Sequence, residues 1–517
     1  MSAISATLPP GRSTGIKKGV HFENEYVIHT ARISSSYGLT QAPSNVSGQG
    51  PNDDHDTCAE PSLATIDDDD PWDKKTILSL DGGGIRGYTS LLILQRLMKE
   101  IGKLERESDS GAISSAYSPL VHCLPDETLA ALSSGTKPVP EYLPCHYFDY
   151  VGGASTGGLI AIMLGRLRMS VDEAIQEYKE LSANVFEKPT SRLKRFLTKY
   201  DSTARREKLK GQFDALKSTR PSPQEEGNQF KSDRDRCRTI VCSIKSSENN
   251  NFQTPFLFRS YDRKMSCSTP FERNPGDLNT FAIWEVARAT SAAPSYFKSI
   301  RLFQARYYDA AVNLNNPSWE VLNEVNLLAE KPQDAIDLLC SIGGGNTKAN
   351  NPKINFGKDS LLQDLTDISD VVHNRVKYES ELQLFDYYRF DVKEGLQEVR
   401  MNEWKPKPSG SITLKRIQEA TSNYLEHKDV SYLIQECAKR LVEKRAQRAQ
   451  TMRWERFATG TRYKCPLDDC SISKTHRFNT RNDLMDHLRM QHDQAPPDAD
   501  HYQLIQNLLD RGRTGDD

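Results

Sequence analysis

Tyr147-Phe148-Asp149-Tyr150-Val151-Gly152-Gly153-Ala154-Ser155-Thr156-Gly157-Gly158-Leu159-Ile160-Ala161-Ile162-Met163-Leu164 is the stretch that decides the fold. An apolar run, a serine set among glycines and a second apolar run read as strand, tight turn and helix. Ser155 falls at the bend, where such a turn pushes a side-chain hydroxyl out of the backbone.

Working outward, Thr76-Ile77-Leu78-Ser79-Leu80 reads as a short buried strand. It runs into Asp81-Gly82-Gly83-Gly84-Ile85-Arg86-Gly87, and Tyr88 to Leu97 then reads as a buried helix. A glycine loop that opens a helix presents free amides, and the helix dipole favours negative charge there. Glycine suits the loop because a Cβ would block close approach of the backbone. Arg86 either buttresses this loop or pairs with Asp81. Downstream, strands are expected at residues 239–244, 255–258 and 338–342, with a helix at 282–290 and Asp309-Ala310-Ala311 between them. Strands alternating with helices argue for a largely parallel α/β sheet covered on both faces. A hydroxyl, an amide cradle and a carboxylate are the parts an acyl-transfer enzyme needs. The rival reading of Gly82-x-Gly84-x-x-Gly87 is a dinucleotide fingerprint, which leaves Ser155 unexplained.

Asp81-Gly-Gly-Gly-Ile-Arg-Gly87, Gly153-Ala-Ser-Thr-Gly-Gly158, Ala289-Thr-Ser-Ala-Ala-Pro-Ser-Tyr-Phe297 and the Asp309 tripeptide occur in that order. Together they resemble the patatin-like phospholipases, over about residues 76–345 and more weakly to about 445. The resemblance implies a three-layer α/β/α domain and a Ser–Asp dyad without histidine. Ser155 would be the nucleophile and Asp309 the base. The amides of Gly82, Gly83 and Gly84 would form the oxyanion hole, with Asp81, Arg86 and Gly87 supporting the loop. It also implies cleavage of fatty acyl esters of glycerolipids, with no cofactor for catalysis. One departure is Ala310, where the family usually has glycine; at a positive φ an alanine would cost about 1 kcal/mol and tilt Asp309. A three-residue site completed by His373, in the order Ser155, Asp309, His373, is the alternative.

Of the 517 residues, positions 1–73 are rich in Ser, Gly, Pro and Asp and read as a disordered acidic arm. Residues 74–346 are expected to form the catalytic domain, with a polar insertion from about 105 to 141, and 347–455 a mainly helical extension. Within the extension, the helix from Val430 to about Arg453 becomes strongly basic. A net charge of -2 gives no global pull toward nucleic acid. The scattered cysteines are no disulfide framework, and no run reaches the roughly 20 apolar residues of a membrane span. A cytoplasmic protein touching membranes peripherally is the expectation, with the nucleus as the alternative compartment.

Cys465-x4-Cys470 followed by His487-x4-His492 suits tetrahedral zinc and resembles a C2H2 finger over 461–495, with Phe478 and Leu484 as its small core and 496–517 as a tail. Sixteen residues separate Cys470 from His487, more than the usual twelve or so. The expected metal is structural. A protein partner for the finger is favoured over nucleic acid, since one finger reads about three base pairs. The rival to the enzyme is therefore a finger-bearing interaction or DNA-binding protein with a degenerate hydrolase domain. For lipid contact, Leu193, Phe196, Leu197 and Tyr200 recur at helical spacing among basic residues.

Overall fold

β1 (Lys75–Leu80) is a central strand, buried along nearly its whole length. Its residues alternate between two cores. Leu78 and Leu80 face one layer of helices, and Ile77 faces the other. This two-sided burial is why the strand reads as a continuous apolar run rather than an alternating one.

The computed structural model describes residues 70–108, 114–120, 141–186, 229–233, 235–247, 253–263, 273–274, 281–293, 299–310, 314–345, 359–472, 476–492 and 499–514. The arm expected at the N-terminus lies outside them up to residue 69, and so does the amphipathic stretch from Leu193 to Tyr200.

Around β1 the sheet is built from β2 (Tyr150–Ala154), β3 (Arg238–Ser247), β4 (Gln253–Arg259), β5 (Ile300–Leu302), β6 (Ala305–Asp309), β7 (Ile336–Ile342) and β8 (Asp386–Phe390). The order is β5-β6-β3-β2-β1-β7-β8, with β4 also paired to β3. β3, β2, β1, β7 and β8 run parallel. β4 and β6 run antiparallel to β3, and β5 antiparallel to β6. The fold is thus an α/β/α domain with a largely parallel sheet.

One face carries α1 (Gly87–Glu107), α2 (Thr156–Ala161), α3 (Val171–Phe186) and α4 (Ile283–Thr290). The other carries α5 (Ser318–Leu328) and α6 (Asp359–Gln383), whose Val321, Leu322 and Val376 pack on Ile77, Tyr150 and Leu339. Beyond β8, α7 (Ser411–Glu426) and α8 (Lys428–Ala449) join the α1 layer. α8 lies along α1 through fully buried Ile434, Cys437, Ala438 and Leu441.

The helix that the sequence marks as strongly basic buries two of its arginines. Arg445 Nη2 donates to Glu105 at 2.8 Å, and Arg448 Nη2 donates to Asp149 at 2.7 Å, all four residues being buried. Glu105, read as the start of a polar insertion, is therefore a core partner of α8. Charges this far from water persist because each has an opposite charge and hydrogen bonds. Trp72, placed by composition in the arm, is also buried, against Trp454 and Phe457 of α9 (Arg453–Thr459).

Candidate active site

β2 ends at Ala154 and α2 begins at Thr156, so Ser155 must turn the chain alone. It does so at φ 55 and ψ -125, a conformation that costs a non-glycine residue on the order of 1–3 kcal/mol. The turn also brings α2 hard against β1. A Cβ on Gly157 would sit 2.2 Å from the Leu80 carbonyl oxygen, so only glycine fits there.

The register of β3 sets what Ser155 meets. Ala154, the last residue of β2, pairs with Cys242, and Asp309, the last residue of β6, pairs with Ser243. β2 and β6 run in opposite directions along one edge of β3, so their carboxyl ends meet head-on. Ser155 Oγ consequently donates to Asp309 Oδ2 at 2.7 Å, with both side chains buried. Residues 154 positions apart form this pair, and nothing in their spacing announces it. Ala310 is fully buried and is not among the positive-φ residues, so the penalty considered for an alanine there does not arise.

The glycine loop leaves β1 beside this pair. Gly84 has φ +58, and a Cβ there would lie 2.2 Å from the Met401 carbonyl oxygen. Of the three amides expected to face a substrate, Gly82 N–H donates to the Asn315 carbonyl at 2.9 Å. Gly83 N–H donates to Thr156 Oγ1 at 3.1 Å. The Gly84 amide has no partner among the described residues. Asn315 thus takes the first of the three amides and a rotatable hydroxyl takes the second. Thr156 N–H opens α2 and has no intrahelical acceptor, which adds a donor at the same place.

The loop is pinned by residues that the sequence did not flag. Arg389 donates to both oxygens of Asp81, at 2.9 and 2.6 Å, and Ser369 Oγ donates to Asp81 at 3.0 Å. Burial pushes the Asp81 carboxyl up from its ordinary value, against the pull of Arg389. Burial alone would lower Arg389, but Asp81 and Asp391 outweigh it and hold the guanidinium charged. Arg86 is not the partner of Asp81; its Nη1 donates to the Gly345 carbonyl at 3.1 Å. Burial lowers Arg86 to about 10. Tyr178 donates its hydroxyl to the Gly84 carbonyl, and a Cβ on Gly87 would run into that same hydroxyl at 2.5 Å. His373 is engaged elsewhere: its Nδ1 lies 3.0 Å from the Tyr387 hydroxyl, and burial lowers its ring below the ordinary value. It lines a hollow of about 260 Å³ with Lys377, Ser380, Glu381, Tyr387 and Arg389.

Far along the chain, Cys465, Cys470, His487 and His492 come together, with their ligand atoms all within 4.8 Å of one another. Cys465 Sγ is 3.5 Å from His492 Nε2, and Cys470 Sγ is 3.4 Å from His487 Nε2. A tetrahedral zinc with bonds near 2.3 Å to sulfur and 2.0–2.1 Å to nitrogen separates such atoms by about 3.6 Å, so the donor set fits. The histidines lie on α10 (Arg481–His492). Residues read as a tail form α11 (Ala499–Arg511) and β10 (Arg513–Thr514), and β10 pairs with β9 (Arg462–Tyr463). Ile505, Leu508 and Leu509 of α11 extend the core around Leu484 and Leu488 beyond what the sequence assigned to it.

Residues 78–322 match the family model described as patatin-like phospholipase. Among named relatives, the chain is 25% identical over 325 residues to "Calcium-independent phospholipase A2-gamma" of Rattus norvegicus, covering 61% of this chain and 34% of that one. It is 24% identical over 314 residues to "Phospholipase A I" of Arabidopsis thaliana (52% and 20%). To "Patatin-like protein 2" of the same plant it is 26% identical over 308 residues (53% and 60%). The match spans about a third of the length of the rat relative.

Proposed function

Since residues 78–322 place this chain in the patatin-like phospholipase family, we propose that it hydrolyses fatty acyl esters of glycerolipids through Ser155 and Asp309. The observation that carries the proposal is the 2.7 Å hydrogen bond between Ser155 Oγ and Asp309 Oδ2 at a strained turn.

Ser155 Oγ attacks the ester carbonyl carbon while its proton passes to Asp309. The Gly83 and Gly84 amides, with Thr156 N–H, stabilise the oxyanion, each such donor being worth about 3 kcal/mol of barrier. Collapse of the tetrahedral intermediate breaks the carbon–oxygen bond of the alcohol, which leaves with the proton from Asp309. Water, deprotonated by Asp309, then cleaves the acyl-enzyme and restores Ser155. A carboxylate is a weak base for an alcohol in water, and direct contact of Asp309 with the Ser155 hydroxyl aligns the proton transfer. None of these steps uses a metal. His373 takes no part.

The assay is release of fatty acid from phosphatidylcholine vesicles by the purified full chain, with and without a calcium chelator. Wild type is expected to be active in both. Ser155→Ala and Asp309→Asn should each lose at least about a thousandfold, the scale seen when a nucleophile or its base is removed. Equal and negligible rates for wild type and Ser155→Ala would favour the finger-bearing interaction protein with a degenerate domain.

No helix among the described residues is long and apolar enough to cross a membrane. A peripheral contact, from the cytoplasmic side, is the form that fits the proposal. The β5–β6 hairpin supports it. β3 runs five residues beyond the end of β2, and β6 pairs with that projecting half, so the Phe303 turn stands about 15 Å past the dyad along the strand. Phe303 is 60% exposed at φ 52, and Arg301 and Arg306 flank it. An aromatic among cations suits the interface of a bilayer. Phe303→Ser should lower cosedimentation with anionic vesicles and spare hydrolysis of a short soluble ester.

The Cys465, Cys470, His487 and His492 set is proposed to hold a structural zinc ion, which would supply folding energy to its module and no chemistry to the dyad.

A further inference from the structure

We infer that the metal module is a clamp built into the hydrolase rather than a free finger that reads nucleic acid. The inference rests on the zinc reading of its four ligands, but not on the lipid reading of the dyad.

The first observation is how the module is fastened. Arg462, just ahead of Cys465, donates to Asp233 Oδ2 at 2.8 Å, and Arg456 of α9 reaches the same carboxylate at 3.0 Å. Arg456 also donates to Asn479, beside the start of α10. Tyr463 donates to Glu455 of α9, and Arg513 of β10 donates to the other oxygen of Glu455 at 2.7 Å. The segment leading into Cys465, α9 and Asp233 are therefore joined by shared charged contacts. Asp233 lies a few residues ahead of β3, the strand whose register brings Ser155 to Asp309. Its neighbour Phe230 is buried in the main core, and Ser232 N–H donates to the Ser260 carbonyl at 2.7 Å.

The second observation is where α9 goes. Trp454 and Phe457 are buried against Trp72, and Trp454 Nε1 donates to the Tyr117 carbonyl at 3.1 Å. The Ala458 carbonyl lies 3.0 Å from His146 Nε2. The element that the module grips is thus itself core.

The third concerns the surface a finger would use. Its helix starts at Arg481, so the groove-facing positions before the helix and at its third and sixth residues are Thr480, Asp483 and Asp486. Asp483 and Thr480 are spent capping each other's amides. Arg481 is held by Asp510 at 2.8 Å and by Gln506. Two carboxylates at base-reading positions repel a phosphate backbone, and α11 covers the module's apolar side.

The test uses hydrogen exchange on the full chain, before and after metal removal with a strong chelator, with metal content measured in parallel. Wild type should hold about one zinc, and Cys470→Ser should hold none. Metal loss should raise exchange at least tenfold at residues 229–233 and 453–459 as well as within 462–492, while β1 and β7 stay protected. Asp233→Asn should keep its zinc yet show the same rise at 453–459, which separates the charged contacts from the ligands. Increased exchange confined to 462–492 would overturn the clamp, as would a protein without zinc. Zinc-dependent, saturable binding of a mixed-sequence DNA duplex would overturn it too. Failure of the lipid assay leaves these readouts intact, so the two readings fall separately.

Discussion

Ser155 stands at φ 55 because β2 and α2 leave it no other way to turn. Packing around the turn holds that strain, and the hydroxyl is presented as a result. Ser155→Gly should abolish hydrolysis and, by relieving the backbone, raise stability by about 1 kcal/mol in urea unfolding. A fall in stability would mean that the turn is not strained. Ala310 gives the opposite case. Its backbone needs no glycine and its methyl is fully buried, so Ala310→Gly should cost about 1 kcal/mol and leave Asp309 in place. If that glycine raised activity, the alanine would be restraining the carboxylate after all.

At the scale of elements, the Ser155–Asp309 contact is a matter of strand register. β3 is long enough to pair with β2 over its first half and with β6 over its second, and the junction is where Ser155 and Asp309 meet. The glycine loop needs its own support, and β8 and α6 provide it through Arg389 and Ser369 on Asp81. Replacing one member of a buried pair leaves the other charge unpaired. Arg389→Met should therefore destabilise by about 3–5 kcal/mol, and adding Asp81→Asn should recover part of the loss. Strict additivity of the two changes in denaturant would contradict the pairing.

Over the whole molecule, buried charge couples the C-terminal helices to the sheet and makes stability depend on pH. Burial alone would raise Asp149, but Arg448, Lys75 and the Thr76 N–H outweigh it and hold the carboxyl below its ordinary 3.8. The unfolded chain then binds that proton more tightly, so this stabilisation is present above about pH 4 and lost as pH falls through the depressed value. His146 is held well below 6.5, first by burial and then by the Arg168 charge. Its unfolded ring takes up a proton as pH falls through about 6.5, so the fold loses stability there first. Tm should decline from pH 7 to about 5 and again below about 4. His146→Gln should flatten the first decline relative to wild type, and an unchanged slope would remove His146 from the account.

The glycine loop, the serine turn and the Cys/His spacing were legible in the sequence because each is local: a backbone that must turn sharply, or ligands that must share one ion, restricts residue type within a few positions. Apolar strands alternating with helices likewise announced a covered parallel sheet, since burial on both faces leaves no polar period within a strand. Strand pairing at Cys242 and Ser243, Arg389 beneath Asp81, Asn315 on the Gly82 amide and the burial of Arg445 and Arg448 were not legible. Each joins residues tens to hundreds of positions apart, and an arginine that will be buried beside a carboxylate is written no differently from one that will face water. Composition and spacing thus determined which groups the chain could bring to a reaction. Only packing decided which of them touch, because contact depends on register and burial that no short stretch of residues encodes.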